Sequence, residues 1–220
     1  MLKNFILFSS LLCFITCVVY KGIDVSVWQG DNIDFKKVKA AGKNFVIMRA
    51  GIGTSTDKYF ELNYKKAKEA GINVGAYWYC KALTVKSSTE EANKALSVLK
   101  GKKFEYPIYY DIENQNLFSK GKALTSQIAD NFCQIMQKNG YFCGIYGSKY
   151  YFENYFTDTV KNKYTIWVAQ YNTQCTYKGA YKIWQRSSKG SVNGISGNVD
   201  LDESYCDFPS IIKNKHLNGF

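Results

Sequence analysis

The chain has one histidine, His216, only two prolines, and no C-x-x-C pair. That histidine stands near the C-terminus, beyond the last strand-like run. Ser-His-Asp or Cys-His catalysis and histidine-based zinc sites are therefore excluded as readings. No G-x-x-x-x-G-K-[ST] motif and no strand-linked G-x-G-x-x-G occurs, which removes support for nucleotide cofactors. N-x-[ST] sequons are absent too, so N-linked glycans are not expected. With so little proline and no low-complexity run, nothing reads as a linker. The 220 residues, 46% hydrophobic and 21% charged, suit one well-cored domain. Neither a cofactor nor a metal is expected.

What is present begins at the N-terminus. Met1-Leu2-Lys3-Asn4 supplies one positive charge, and Phe5 to Val19 is almost continuously apolar. An apolar core of that length is short for a membrane span and has the shape of a secretory signal. The expected organisation is a signal peptide over 1–20, one domain over 21–209 and a C-terminal tail over 210–220. Such a protein is secreted, or delivered to vesicles or lysosome-like compartments, with no stable membrane insertion after the signal is removed. Cys13 and Cys17 would leave with the signal. An oxidising compartment favours disulfides, and the expected pairs are Cys133 with Cys143 and Cys175 with Cys206, leaving Cys80 over. The net charge of +11 comes mostly from scattered lysines. Scatter suits a solvated surface, with faster encounter with anionic polymers as a consequence. No nucleic-acid partner is expected, and a monomer is the default.

From Gly22 onward, short β-branched or aromatic runs alternate with longer amphipathic stretches. "GIDVSVW", "NFVIMRA", "INVGAYWY", "YPIYYDIE" and "FCGIYG" read as strands. "DFKKVKAAG", "DKYFELNYKKAKEAG", "STEEANKALSVLKG" and "ALTSQIADNFCQIMQKNG" read as the helices between them, the first two stopping at Gly42 and Gly71. The later part, "YTIWVAQY", "YKIWQRS" and "NVDLDES", is strand-heavy. Alternation implies parallel strands with right-handed crossovers. Eight candidate strands with helices missing late in the chain predict an irregular α/β barrel of about eight strands. It would carry fewer helices than a complete (β/α)8 barrel.

In such folds chemistry gathers where the strands end. Four acids fall there: Asp24 in the first strand, Asp111 and Glu113 in "YPIYYDIE", and Asp200 in the last. Residues two apart on a strand share a face, roughly 6.5–7 Å apart along the chain. Two carboxyls held that close in a partly buried mouth cannot both ionise easily. Glycoside hydrolysis needs such a pair, one a proton donor and the other a charge facing the oxocarbenium-like centre. A carboxylate-bound divalent ion is the rival use of the same acids. Aromatics make up 16% of the chain. Trp28, Tyr77, Trp78, Tyr146 and Trp184 sit in or near strand ends, where rings could stack on sugars or simply pack the core.

The runs "GIDVSVWQG", "FVIMRAGIGTSTDKYFELNYKKAKEAGINVGAYWY", "PIYYDIE" and "IWQRSSKGSVNGISGNVDLD" follow one another in an order that resembles glycoside hydrolase family 25, the Chalaropsis-type lysozymes. The likeness spans about residues 22 to 205. It implies a flattened barrel with a long groove, and N-acetylmuramidase activity on the β-1,4 bond after N-acetylmuramic acid in bacterial peptidoglycan. By motif, Glu113 would be the general acid. Asp111 would stabilise the charged centre or orient the N-acetyl group, Asp24 would lie at the pocket floor and Asp200 at its edge. Tyr77, Tyr146, Trp184 and Gln185 would line the groove. The family usually has histidine where this chain has Trp78, a departure that bears on subsite preference. Two other readings stay open: a non-catalytic module binding peptidoglycan or chitin on the same barrel, and a chitin-cleaving hydrolase.

Overall fold

A computed structural model describes residues 18–220 of the protein. The signal peptide expected over 1–20 lies almost entirely outside the described residues, and Cys13 and Cys17 with it. The described residues open with β1 (Tyr20–Val25), a 3-10 turn (Val27–Gln29) and α1 (Phe35–Ala40). Next come β2 (Phe45–Ile52), the two-residue β3 (Ser55–Thr56), α2 (Phe60–Glu69) and β4 (Asn73–Tyr79). Then follow α3 (Val85–Leu99), β5 (Ile108–Asp111), α4 (Gln115–Phe118) and α5 (Lys122–Lys138). β6 (Cys143–Ser148) leads into α6 (Lys149–Tyr155), α7 (Asp158–Lys163) and β7 (Thr165–Ala169). The last elements are β8 (Ile183–Gly190), β9 (Val199–Ser204) and α8 (Phe208–Asn214).

The strands run β1-β9-β8-β7-β6-β5-β4-β2-β3, and a β1–β2 pairing closes the first eight into a barrel. Seven of the eight are parallel. β9 alone runs antiparallel to both neighbours, and β3 is a short flap on the end of β2. Helices fill the crossovers as far as β7. The connections β7–β8 and β8–β9 carry none, as the strand-heavy end of the sequence implied. The barrel is irregular because the segment 191–198 between β8 and β9 is too short for a parallel crossover, so β9 returns antiparallel.

Local chemistry sets the element ends. Thr84 accepts the amide of Ser87 while the Ser87 hydroxyl accepts that of Thr84, so α3 begins at Val85, three residues ahead of the run "STEEANKALSVLKG" that reads as helical in the sequence. Gly42 and Gly71, at φ of 80° and 67°, let the chain leave α1 and α2 in a conformation other residues resist. Along the strands the period of two sorts side chains into two layers. Phe45, Ile47, Tyr109, Trp167 and Ile183 fill the barrel. Ile23, Val46, Trp78, Tyr110, Ile145 and Trp184 point out against the helices. Tyr110 stacks on Phe132 of α5 with ring centroids 3.9 Å apart, and each such ring buried stabilises the fold by roughly 1.5–3 kcal/mol.

The residues expected as a C-terminal tail pack into the fold. Phe208 and Ile212 of α8 are buried in the inner cluster and close the barrel floor. The Asn218 side chain is fully buried; it accepts the Phe142 amide at 2.7 Å and donates to the carbonyls of Phe104 at 3.2 Å and Tyr106 at 2.9 Å. The disulfide expectation needs correction. All five cysteines among the described residues are free thiols. Cys133 and Cys143 do meet, with their Sγ atoms 3.2 Å apart, but as a thiol–thiol contact. Cys175 packs on the outer cluster and Cys206 on the inner one, and the second pair is not bonded. No helix among the described residues is long and apolar enough to cross a membrane.

Candidate active site

Parallel strands deliver their C-terminal ends to one rim, and a cleft opens there. Its lining includes Asp24 and Ser26 of the first strand end, Arg49 of β2, Tyr77 and Tyr79 of β4, and Asp111 and Glu113. Tyr146, Trp167, Tyr171, Gln185 and Asp200 complete it, with Trp28 and Gln29 at the edge. The four acids expected from the sequence do converge. Asp200 arrives by an unexpected route: it opens β9 rather than closing it, and because β9 is antiparallel its start lies at the rim where the others end. Asp24 and Asp200 are direct register partners. β5 ends at Asp111, yet the Ile112 amide still bonds the Tyr146 carbonyl at 3.1 Å. The strand alternation therefore runs on, Ile112 goes to the outer core, and Glu113 returns to the cleft.

Burial dominates the electrostatics. It pushes the Asp111 carboxyl well above the ordinary range, the charge of Glu113 adds to this, and Arg49 opposes it. Glu113 is raised by burial and then by the charge of Asp200. Burial lifts Asp200 to about 6. Asp24 is raised by burial and by Asp202 and Asp200, against the hydrogen bond it accepts from Gln185 at 2.7 Å. The cation lining this cleft is Arg49, whose Nε is bound to Asp57 Oδ2 at 2.7 Å. Asp57 also accepts the amides of Val27 at 3.1 Å and Tyr59 at 3.0 Å, tying the turn that carries Trp28 to the β3 flap. A protein of net charge +11 thus presents an acidic mouth whose carboxyls hold protons more tightly than free ones.

Of the expected groove residues, Tyr77, Tyr146, Gln185 and Trp28 line the cleft. Trp28 is 84% exposed at its edge, available for stacking. Trp78 and Trp184 do not line it, which corrects their expected role. Each is one residue from an inward side chain and therefore points outward. Trp78 is 1% exposed with its indole N–H on the Gly53 carbonyl at 2.8 Å, and Trp184 donates to the Gln170 carbonyl at 2.8 Å. The histidine-to-tryptophan departure at position 78 accordingly falls in the outer core. The cleft also holds residues that the sequence reading missed. Arg49 and Trp167 were accessible by parity, since each lies two residues from a neighbour on the inner face. Tyr171 lies just past β7 in the helix-free β7–β8 loop, yet it closes the strand-like run "YTIWVAQY" at the same parity as Trp167 and Ala169, a signal that could have found it. Its hydroxyl and that of Tyr146 both donate to Gln185 Oε1, at 3.2 and 2.9 Å.

Comparison with known proteins agrees with this geometry. The family model described as glycosyl hydrolases family 25 matches residues 23–195. The chain is 32% identical over 188 residues to the autolytic lysozyme of Clostridium acetobutylicum, covering 83% of this chain and 55% of that protein. Among solved structures, the modular autolysin LytC of Streptococcus pneumoniae in complex with a synthetic peptidoglycan ligand superposes with a TM-score of 0.78 at 27% identity, over 84% of this chain and 46% of that one. A bacterial lysozyme from Streptomyces coelicolor gives 0.75 at 26%, over 89% and 98%. The chain thus spans about half the length of the first relatives it matches. Asp200 lies just past the span matched by the family model, and its place at the mouth rests on strand register.

Proposed function

This chain belongs to glycosyl hydrolase family 25, and on that premise we propose that it is a lysozyme, an N-acetylmuramidase that cleaves the β-1,4 bond between N-acetylmuramic acid and N-acetylglucosamine in bacterial peptidoglycan. The observation that carries the reading is the convergence of Asp24, Asp111, Glu113 and Asp200 in one cleft at the strand ends. Glu113 is the general acid. Burial and the neighbouring charge of Asp200 favour its protonated form, so it can donate to the leaving oxygen. Asp111, beside Glu113 and steadied by Arg49, faces the positive centre that develops as the bond breaks, or orients the N-acetyl group. Asp24 is held by Gln185 at the floor and Asp200 bounds the edge. Trp28, Tyr77 and Tyr146 offer ring faces and hydroxyls to the glycan. The N-terminal apolar run supports delivery through the secretory pathway, and the protein acts as a monomer.

The test is release of reducing ends from purified peptidoglycan, with chitin alongside, by mature protein recovered from the medium of secreting cells. Glu113→Gln is expected to keep fold and glycan binding while losing on the order of 10²–10⁴ in rate, the contribution of a general acid. A fully active Glu113→Gln enzyme would refute the assignment. Cleavage of chitin alone would move the substrate, and binding without cleavage would make the barrel a glycan-binding module. Recovery solely as an unprocessed intracellular chain would count against secretory routing.

A further inference from the structure

A fifth acid lies beneath the four. Asp202 stands two residues beyond Asp200 on β9, so both side chains enter the barrel. In register it sits between Gly22 of β1 and Gln185 of β8, and it is 2% exposed. Its Oδ1 accepts the indole N–H of Trp167 at 2.9 Å. Its Oδ2 is buried and meets no N–H or O–H donor. The carboxyl of Asp24 lies within hydrogen-bonding reach of it. Asp24 in turn takes the Gln185 N–H, and Gln185 is held in that orientation by the two tyrosine hydroxyls on its oxygen. Each acid therefore has one neutral donor, Asp202 keeps one buried oxygen left to satisfy, and two ionised carboxylates placed so deeply would repel.

We propose that Asp202 and Asp24 share a single proton across their facing oxygens, and that Asp202 is thereby the positioning residue that holds Asp24 at the floor of the cleft. The role in turnover rests on the reading of the cleft as a glycosidase site; the shared proton does not. Sharing satisfies the orphaned oxygen and leaves one negative charge on the floor instead of two. Asp202 touches no substrate and lies outside the cleft lining, so its effect passes through Asp24. Burial lifts its carboxyl to about 8, with the Trp167 bond and Lys43 opposing. The charged groups facing it are Asp24 from β1, Asp200 from β9 itself and Lys43 from the turn before β2. β7 and β8 face it with Trp167 and Gln185, which do not titrate.

The test reads the Trp167 indole N–H resonance by ¹⁵N NMR in the substrate-free protein, assigned with Trp167→Phe. The resonance is expected to titrate with a midpoint far above the ordinary carboxylate range, near the value of about 8, and to stop titrating in Asp202→Asn. A midpoint near 4, the usual carboxylate value, would show both acids ionised at neutral pH and overturn the shared proton. For the positioning role, the Asn variant can still accept from Trp167 and donate to Asp24, whereas Asp202→Leu cannot. With melting curves confirming that both fold, kcat is expected to fall roughly tenfold to a hundredfold further in Leu than in Asn, as for a misplaced catalytic group. Equal turnover in the two variants would overturn the positioning role. A wild-type protein that cleaves no glycan would sink the lysozyme reading, and the titration would still decide the proton.

Discussion

At the scale of single residues, neighbours in sequence part company by direction. Tyr77 and Trp78 are adjacent, as are Trp184 and Gln185, and in each pair one side chain reaches the cleft while the tryptophan enters the outer core. Trp28 and Trp78 therefore make opposite predictions. Trp28→Ala removes an exposed ring worth roughly 0.5–1.5 kcal/mol of stacking, so KM for soluble peptidoglycan fragments should rise about twofold to tenfold with the melting temperature unchanged. Trp78→Phe deletes the buried bond to Gly53, so stability should drop by about 1–3 kcal/mol while KM holds. Steady-state kinetics and thermal melts on the two variants decide both; a KM change in Trp78→Phe alone would reverse the placement drawn from the geometry.

At the scale of elements, α8 and the residues after it do what a tail would not. The barrel floor needs an apolar lid, and Phe208 with Ile212 supplies one. Asn218 then bonds the chain before β5 and the start of β6 together. Asn218→Ala would leave one buried amide and two buried carbonyls without that partner, and unsatisfied buried groups cost about 1–3 kcal/mol each. Chemical denaturation should show a loss of at least about 2 kcal/mol, with the cleft chemistry intact in the protein that remains folded. A neutral result would mean that water replaces all three bonds. β9 is the other element with an outsized effect: its reversed direction puts Asp200 at the rim and Asp202 one layer beneath it.

At the scale of the whole molecule, buried acids make stability depend on pH with a definite sign. Asp200 at about 6 and Asp202 at about 8 both bind protons more tightly folded than unfolded, where the value is 3.8. Their contribution is therefore fully present below pH 4 and is lost as pH rises, up to about 6 for Asp200 and about 8 for Asp202. Melting temperatures measured from pH 4 to 9 should show Asp200→Asn gaining on the wild type chiefly below pH 7 and Asp202→Asn continuing to gain up to pH 8 or so. Two parallel curves, with no gap opening as pH rises, would contradict the raised values. The same acidic interior sits in a chain with a net charge of +11, so the attraction for anionic polymers belongs to the surface and the chemistry to the mouth.

Much of this could be read along the chain. The alternation of apolar runs with amphipathic stretches determined an irregular barrel, and the spacing of Asp111 and Glu113 determined that both acids share a face, because strand and helix periods are local properties of the backbone. Three things waited for the tertiary structure. Strands of a parallel barrel are buried on both sides, so composition cannot say which of two adjacent aromatics faces inward; Trp78 and Trp184 were decided by register. The direction of β9 depends on the short return after β8, which put Asp200 at the mouth from the opposite end of its strand. The placing of Asp202 against Asp24 joins residues far apart in sequence, and only the pairing of β9 with β1 at the closure of the barrel brings such side chains within reach of one another.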